Sequence, residues 1–404
     1  MAITLNKSCG TLSKKYGVLF NGIRSFLVKG AFCFLPKGDG SGILSNSHFI
    51  LIKGGFEKKL SFRKRNVAMD LLRQIANKTK GSGRTIVLPE GQDPRVIKAA
   101  NLSVQENVAK IIVLGTEEEI AFSENAAGMK LAPEVTVINH TSDPLLDELA
   151  EAFYEKRKAK GMTLDEARET LKTKRIYFGA MMLAVAKADG LVAGSIASTG
   201  DMLRAAFQCV GMAPGIKLAS SVFLMELREP TMTGEKVLAF ADCAVNPCPT
   251  AEQLVDIALA TARTFRSLVG KQPRVAFLSF SSKGSAKHEL VDKVATAARM
   301  AKERFEELGL DAIVDGEIQA DAAIIPAIAL QKNPGGAIKG DANVLIFPDL
   351  QSGNICYKLV QRLAGANALG PVVQGVAKPI NDLSRGCSAE DIFANVCFTV
   401  GQTL

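Results

Sequence analysis

Ser384, Arg385 and Asp391 fall within eight residues of one another in the stretch GVAKPINDLSRGCSAED (375–391), just ahead of the last helical pattern. A hydroxyl such as that of Ser384 can donate to a carbonyl oxygen as the oxygen gains negative charge. The guanidinium of Arg385 offers a planar fork that fits phosphate oxygens, and each charge-assisted contact of this kind contributes about 1.5–3 kcal/mol. The carboxylate of Asp391 can take a proton from an attacking thiol. Together these groups could hold a phosphorylated acyl compound, polarise its carbonyl and activate the nucleophile. A structural reading of Asp391 stands beside the chemical one. Ser388-x-x-Asp391 before Ile392 and Phe393 is a capping-box pattern, and a helix N-terminus stabilises the ionised carboxylate, which weakens it as a base. A capping aspartate can still face a cleft, so both roles stay open.

Other tracts carry weaker signals. Ser279 to Lys287 follows the strand pattern Val275–Leu278, and there Ser282, Lys283 and Ser285 could present hydroxyls, backbone N–H groups and a cation to an anion. A solvated loop with a serine cap explains the same residues. Ser198 to Arg204 is a small-residue loop ending in an arginine after Gly190–Ala193. Asp315-Gly316-Glu317 and Phe347-Pro348-Asp349 place acids at two strand ends, where capping and loop hydrogen bonds explain them better than a hard cation does. Arg157 closes the helical pattern 144–157, and Arg362 lies in the run YKLVQRL; arginines in such places commonly solvate a face or complement the helix dipole.

These residues need a scaffold, and from Met69 onward the pattern supplies one. TIVLPEG (85–91), Lys110–Leu114 and Val135–Ile138 read as strands, and Arg274–Phe280, Ala312–Val314 and Asn343–Phe347 as further ones. Helix starts intervene at Asp93-Pro94, at Asp143-Pro144 and at the Thr163/Glu166 capping box, and an amphipathic helix spans 288–308. Strands alternating with helices predict an α/β fold whose mostly parallel sheets are covered on both faces, with ligands at the carboxyl ends of strands.

Length and composition bound the function. A chain of 404 residues, 47% apolar and 22% charged, has the make-up of a soluble enzyme of about two to three domains. Net +8 points at first to an anionic polymer, but residues 1–68 hold 12 of the 49 basic residues and only Asp39 and Glu57 of the 41 acids. The remaining 37 basic and 39 acidic residues leave the body nearly neutral, which argues against a nucleic-acid or membrane partner. The basic leader reads as translated upstream sequence ahead of a start at Met69, as a targeting segment, or as a functional basic arm. Eight scattered cysteines without a CxxC pair, and three dispersed histidines (His48, His140, His288), fit free thiols in a cytoplasmic protein better than zinc or a histidine base. No Walker loop and no convincing GxGxxG is present.

TIVLPEG, FADCAVNPCPTAEQL, FSSKGSAKHELV, DGEIQADAAI, NVLIFPDLQSGNICYKLVQRL and GPVVQGVAKPINDLSRGCSAEDI follow one another in order. On these tracts the chain from about Met69 to Leu404 resembles the phosphate acetyl/butyryl transferase family. The resemblance implies reversible acetyl transfer between coenzyme A and inorganic phosphate through a ternary complex, without metal or redox cofactor; coenzyme A is a substrate. It makes Asp391 the base for the coenzyme A thiol, Ser384 the stabiliser of the developing oxyanion and Arg385 the phosphoryl grip. Arg157, Arg204 and Arg362 match arginines that bind coenzyme A or substrate. Ala205 and Ala197 depart from the proline and histidine frequent there, which loosens the match in the Ser198–Arg204 loop. The implied fold is two α/β/α domains like those of isocitrate/isopropylmalate dehydrogenases, in a homodimer, with the site in the interdomain cleft. On that pattern 69–215 plus 370–404 form one domain and 216–369 the other. Phosphate butyryltransferase is the alternative with the same mechanism. A nicotinamide-dependent hydroxy-acid dehydrogenase and a basic nucleic-acid binder are more distant rivals.

Overall fold

The computed structural model describes residues 24–28, 31–35 and 70–404. In the N-terminal unit, β1 (Arg24–Val28) and β2 (Ala31–Leu35) pair as an antiparallel hairpin, Arg24 opposite Leu35. The readings given above for the leader otherwise lie outside the described residues.

The second unit alternates helix and strand. It begins α1 (Asp70–Thr79), β3 (Thr85–Leu88), α2 (Pro94–Gln105), β4 (Lys110–Leu114), α3 (Glu117–Ala127) and β5 (Thr136–Ile138). Then come α4 (Leu145–Arg157), α5 (Leu164–Thr173), α6 (Arg175–Ala184), β6 (Gly190–Ala193), α7 (Thr199–Ala205), β7 (Ser220–Glu226) and β8 (Val237–Ala241). The chain continues through α8 (Ala251–Val269), β9 (Arg274–Leu278), α9 (Glu289–Glu307), β10 (Ile313–Ile318), α10 (Ala320–Ile324), α11 (Pro326–Lys332), β11 (Val344–Ile346) and α12 (Leu350–Leu363). It ends β12 (Asn367–Gln374), β13 (Ile380–Asp382) and α13 (Ala389–Gly401). The helix starts at 93–94 and 163–166 are built as their sequences predict. The Asp93 side chain accepts from Arg95 N with Pro94 in the first turn, and Thr163 and Glu166 close a reciprocal capping box.

Two sheets result. Five parallel strands run in the order β13-β6-β3-β4-β5, and six run β10-β9-β11-β8-β7-β12, where β7 is antiparallel to both neighbours. Each sheet is the middle layer of three, because successive side chains point to opposite faces. In β3, Ile86 and Leu88 join the core shared with α1, α2 and α13, while Val87 joins Phe153 and Phe178 on the other face. In β8, Ala239 and Ala241 pack toward α8 and α9, whereas Leu238 and Phe240 pack with Phe347 and Tyr357. One continuous core, carried by α8, spans both sheets.

Two details differ from the sequence reading. The boundary placed at 369/370 falls inside β12, all of which belongs to the six-stranded sheet through β7. The strand runs through Gly370-Pro371 with a register irregularity between Leu369 and Val372. The chain therefore returns to the five-stranded sheet at 375–379. Ser198 to Arg204 is not a loop: Ser198 caps α7 by accepting from Asp201 N at 3.2 Å.

Candidate active site

Strand order in the five-stranded sheet reverses between β3 and β6, because the chain runs β3 to β4 to β5 on one side and then returns to the other side of β3. Such a switch point leaves a crevice outside the carboxyl ends of the strands. Three segments leave neighbouring strands here: 89–95 after β3, 194–204 after β6 and 383–391 after β13.

Glu90 ties the first segment to the second. Only 2% exposed, its Oε2 accepts from Gly194 N (2.9 Å), Ser195 N (2.8 Å) and Ser195 Oγ (2.8 Å), and its Oε1 from Ile196 N (3.0 Å) and Ala197 N (2.8 Å). Gly194 has φ +109, and a Cβ there would sit 2.4 Å from Asp382 Oδ1 and 2.8 Å from Leu383 N. Only glycine lets the exits of β6 and β13 touch.

Arg95 ties all three together. Its Nη1 donates to the carbonyls of Arg385 and Cys387, both at 2.8 Å, and its Nη2 to Ser195 O at 3.0 Å. Asp93 orients that guanidinium through Nε (3.0 Å) and Nη2 (2.6 Å). Burial alone would push the Asp93 carboxyl up, but its bonds to Arg95 outweigh burial and hold it below the usual range.

On this frame the 383–391 loop stands exposed. Ser384 Oγ accepts from Gly386 N at 3.3 Å, which leaves its proton free to be donated. The Arg385 side chain is exposed and makes no hydrogen bond or ion pair among the described residues. Asp391 closes the capping box of α13: its Oδ2 accepts from Ser388 N at 2.8 Å, and Ser388 Oγ accepts from Asp391 N at 3.1 Å. Its Oδ1 has no partner among the described residues. The capping pattern read in the sequence is thus built, and it uses one of the two carboxylate oxygens. The helix behind it is a rigid base, with Ile392, Val396 and Val400 at 0% exposure, each burial contributing about 1.5–3 kcal/mol.

Arg157 and Arg204 both act on Tyr177. Burial raises the Tyr177 hydroxyl above its ordinary value, while Arg204 and Arg157 both draw it down, so the two guanidinium groups lie within electrostatic range of one phenol. Arg204 is exposed and paired with Asp201 at 2.5 Å; Arg157 is half-buried, with Nε shielded and lacking a partner among the described residues. A cavity of about 330 Å³ opens between Glu90, Gln92, Lys174, Tyr177, Ile196 and Asp201. A slightly larger one, about 360 Å³, lies at the 373–379 crossover and holds none of the residues singled out from sequence. Thr199 Oγ1 donates to Asp382 Oδ2 at 2.5 Å, joining the start of α7 to the strand that leads into Ser384.

The remaining sequence candidates are carried by the six-stranded sheet. In the turn after β9, Ser285 Oγ accepts from Ser282 N at 3.0 Å, and the Ser282 hydroxyl accepts from Gln319 N at 2.9 Å. Lys283 is pinned to Asp315 at 2.5 Å, so its charge is largely spent within the protein. Asp315 also accepts from Asn333 and Ile338 N, Glu317 from Ser281 Oγ and Gly284 N, and Asp349 from Ser352 N as the cap of α12. These acids are engaged in holding loops, the use the sequence favoured. Arg362 is exposed on α12, without an ion pair among the described residues. No hydrogen bond among the described residues joins the Ser282–Ser285 turn or Arg362 to the 383–391 loop.

Glu90, Asp93, Arg95, Thr199 and Asp382 escaped the sequence reading as parts of a site. Their partners lie 100 or more residues away in chain order, apart from the Asp93–Arg95 pair, and only the position of Glu90 and Asp93 just past a buried parallel strand hinted at them.

The profile of the family described as "Phosphate acetyl/butaryl transferase" matches residues 70–400. A phosphate acetyltransferase from Thermoanaerobacterium thermosaccharolyticum is 50% identical over 334 residues, which cover 83% of this chain and 99% of that protein. One from Acetivibrio thermocellus is 46% identical over 334 residues, 83% of this chain and 98% of the relative. Among solved structures, the EutD phosphotransacetylase from Staphylococcus aureus superposes with a TM-score of 0.77 at 42% identity, covering 83% of this chain and 98% of its own. A fold held across nearly the whole length of these relatives, with the six tracts in order, has one reading: the chain belongs to the phosphate acetyl/butaryl transferase family.

Proposed function

We propose that this protein catalyses reversible transfer of an acetyl group between coenzyme A and inorganic phosphate. The carrying observation is that Ser384, Arg385 and Asp391 keep an O–H, a guanidinium and a carboxylate oxygen unengaged on the exposed loop and first helical turn after β13, at a strand-order switch point. A free thiol is mostly protonated near neutral pH, so a positioned acceptor helps. Asp391 takes that proton, and the sulfur attacks the acetyl carbon of acetyl phosphate. Ser384 donates to the carbonyl oxygen as it becomes negative. The acyl C–O bond then breaks, and phosphate departs held by Arg385. The reverse direction returns the proton from Asp391 to coenzyme A. Acetyl phosphate is already activated, so alignment and charge stabilisation are the main tasks, and the scheme calls for no metal or redox group. Arg157 and Arg204, near Tyr177 and the 330 Å³ cavity, and Arg362 from the other sheet suit the phosphates of coenzyme A. Lys283 with Ser282 and Ser285 is the weaker contributor, because Asp315 neutralises it.

The acting unit is a homodimer. On α12 only Gly353 is buried, while Ile355, Leu359 and Leu363 are 57%, 51% and 83% exposed at i, i+4 and i+8, one apolar stripe without a partner among the described residues. Among the described residues no helix is long and apolar enough to cross a membrane, and the thiols are free, in keeping with a place in the cytoplasm.

The test is ³¹P NMR of acetyl-coenzyme A mixed with phosphate and enzyme. Acetyl phosphate equal in amount to the coenzyme A released is expected, with acetyl-coenzyme A used faster than butyryl-coenzyme A. Preference for butyryl would move the assignment to the butyryl branch, and no phosphate-dependent product would end it.

A further inference from the structure

Arg95 touches no reacting group in the scheme above, yet every one of its donors is spent on the site's frame. A guanidinium has five N–H bonds in a fixed plane. Two point at Asp93, one at Ser195 O, one at Cys387 O and one at the carbonyl of Arg385 itself. The clamp thus grips the backbone on both sides of Gly386, and its other arm holds the 194–197 turn, which Glu90 fixes from the opposite side. Arg385, by contrast, has no side-chain partner of its own among the described residues, so the position of its guanidinium rests on the backbone that Arg95 holds.

We propose that Arg95, oriented by Asp93, is a positioning residue that sets the Ser384–Arg385 backbone for the phosphoryl group. The proposal rests on the acetyltransferase reading for its kinetic consequence and on geometry alone for the clamp. Lysine cannot substitute. Its three donors radiate from one nitrogen and do not span three carbonyls in a plane.

The experiment combines kinetics with amide hydrogen exchange on the full chain, for wild type, Arg95→Ala, Arg95→Lys, Asp93→Asn, Arg385→Ala and the Arg95→Ala/Arg385→Ala double variant. Arg95→Ala and Arg95→Lys should raise the KM for phosphate about tenfold or more while leaving that for coenzyme A within about twofold, in line with loss of charge-assisted positioning. Free guanidinium ion should restore part of the phosphate affinity of Arg95→Ala. The double variant should be no worse toward phosphate than Arg385→Ala, because one residue acts through the other. Exchange should quicken in 384–391 and stay at the wild-type rate in 279–286.

Unchanged exchange in 384–391, equal losses for both substrates, or additive effects in the double variant would each overturn the proposal. Should Arg95→Ala fail to fold, Asp93→Asn, which keeps the arginine but frees it to swing, carries the same comparison. A wild-type protein without acetyl transfer would sink the functional reading, and the exchange comparison would still decide the clamp.

Discussion

Replacing Glu90 with glutamine is a one-atom change that isolates what the buried carboxylate does. Oε2 takes three donors and Oε1 two, and all but one of the five are backbone N–H groups. An amide keeps one oxygen. In its better orientation it serves Gly194 and Ser195, and its NH2 then faces the N–H groups of Ile196 and Ala197 with no acceptor between them. Two charge-assisted bonds of about 1.5–3 kcal/mol each give a loss of about 3–6 kcal/mol. Ile196 is 46% exposed and Ala197 half-buried, so water can reach these two donors, and the lower end, about 3 kcal/mol, is expected. Equilibrium urea unfolding with an unchanged slope measures this directly, and hydrogen exchange at 194–201 localises it. A midpoint shift equivalent to less than about 1 kcal/mol, with wild-type exchange in that segment, would show that the Glu90 carboxylate does not hold the turn, since a mean neutral hydrogen bond is worth that much.

Asp391→Asn keeps an oxygen for the Ser388 N–H but removes the proton acceptor. Turnover should fall by about 10²–10⁴ with the melting temperature nearly unchanged, and a variant with normal turnover and lowered melting temperature would leave Asp391 as a cap only. Asp382 is 5% exposed with Oδ1 shielded and unpaired, and burial lifts its pKa from the ordinary 3.8 to about 6, against the pull of Thr199. The folded state therefore binds this proton more tightly than the unfolded chain, and the group's contribution, full below pH 4, is lost as pH rises through 6. Relative to wild type, Asp382→Asn should gain about 2 kcal/mol between pH 4 and pH 7, and a difference independent of pH would contradict it. Leu359→Glu places a charge on the α12 stripe and, for the proposed homodimer, should shift the light-scattering mass from dimer to monomer; an unchanged dimer mass would count against this stripe as the interface.

What the sequence disclosed followed the range of the interactions. The capping boxes at Thr163 and Ser388 are closed within four residues, so residue types and spacing were enough to foresee them. The closeness of a hydroxyl, a guanidinium and a carboxylate in 384–391 was legible for the same reason, since the three stand within eight residues. The frame was not. Glu90 meets its partners across more than 100 residues and Arg95 meets Arg385 across 290, and no local pattern announces a pairing that only sheet topology creates. β13 hid in Ile380-Asn381-Asp382, two polar residues of three, because its burial comes from side-chain bonds such as Asn381 Oδ1 to Val373 N at 2.7 Å and not from apolar alternation. Lys283 looked like an anion ligand until its partner Asp315, 32 residues on, came into contact.

The proposed acetyl transfer turns on the exposed guanidinium of Arg385 receiving the phosphoryl group. Initial rates of acetyl-coenzyme A cleavage against phosphate concentration, for wild type and Arg385→Ala, test it most directly. The KM for phosphate should rise about 10- to 100-fold in the variant, the equivalent of the 1.5–3 kcal/mol of a charge-assisted contact, with that for acetyl-coenzyme A little changed. Identical phosphate saturation in the two proteins would contradict it.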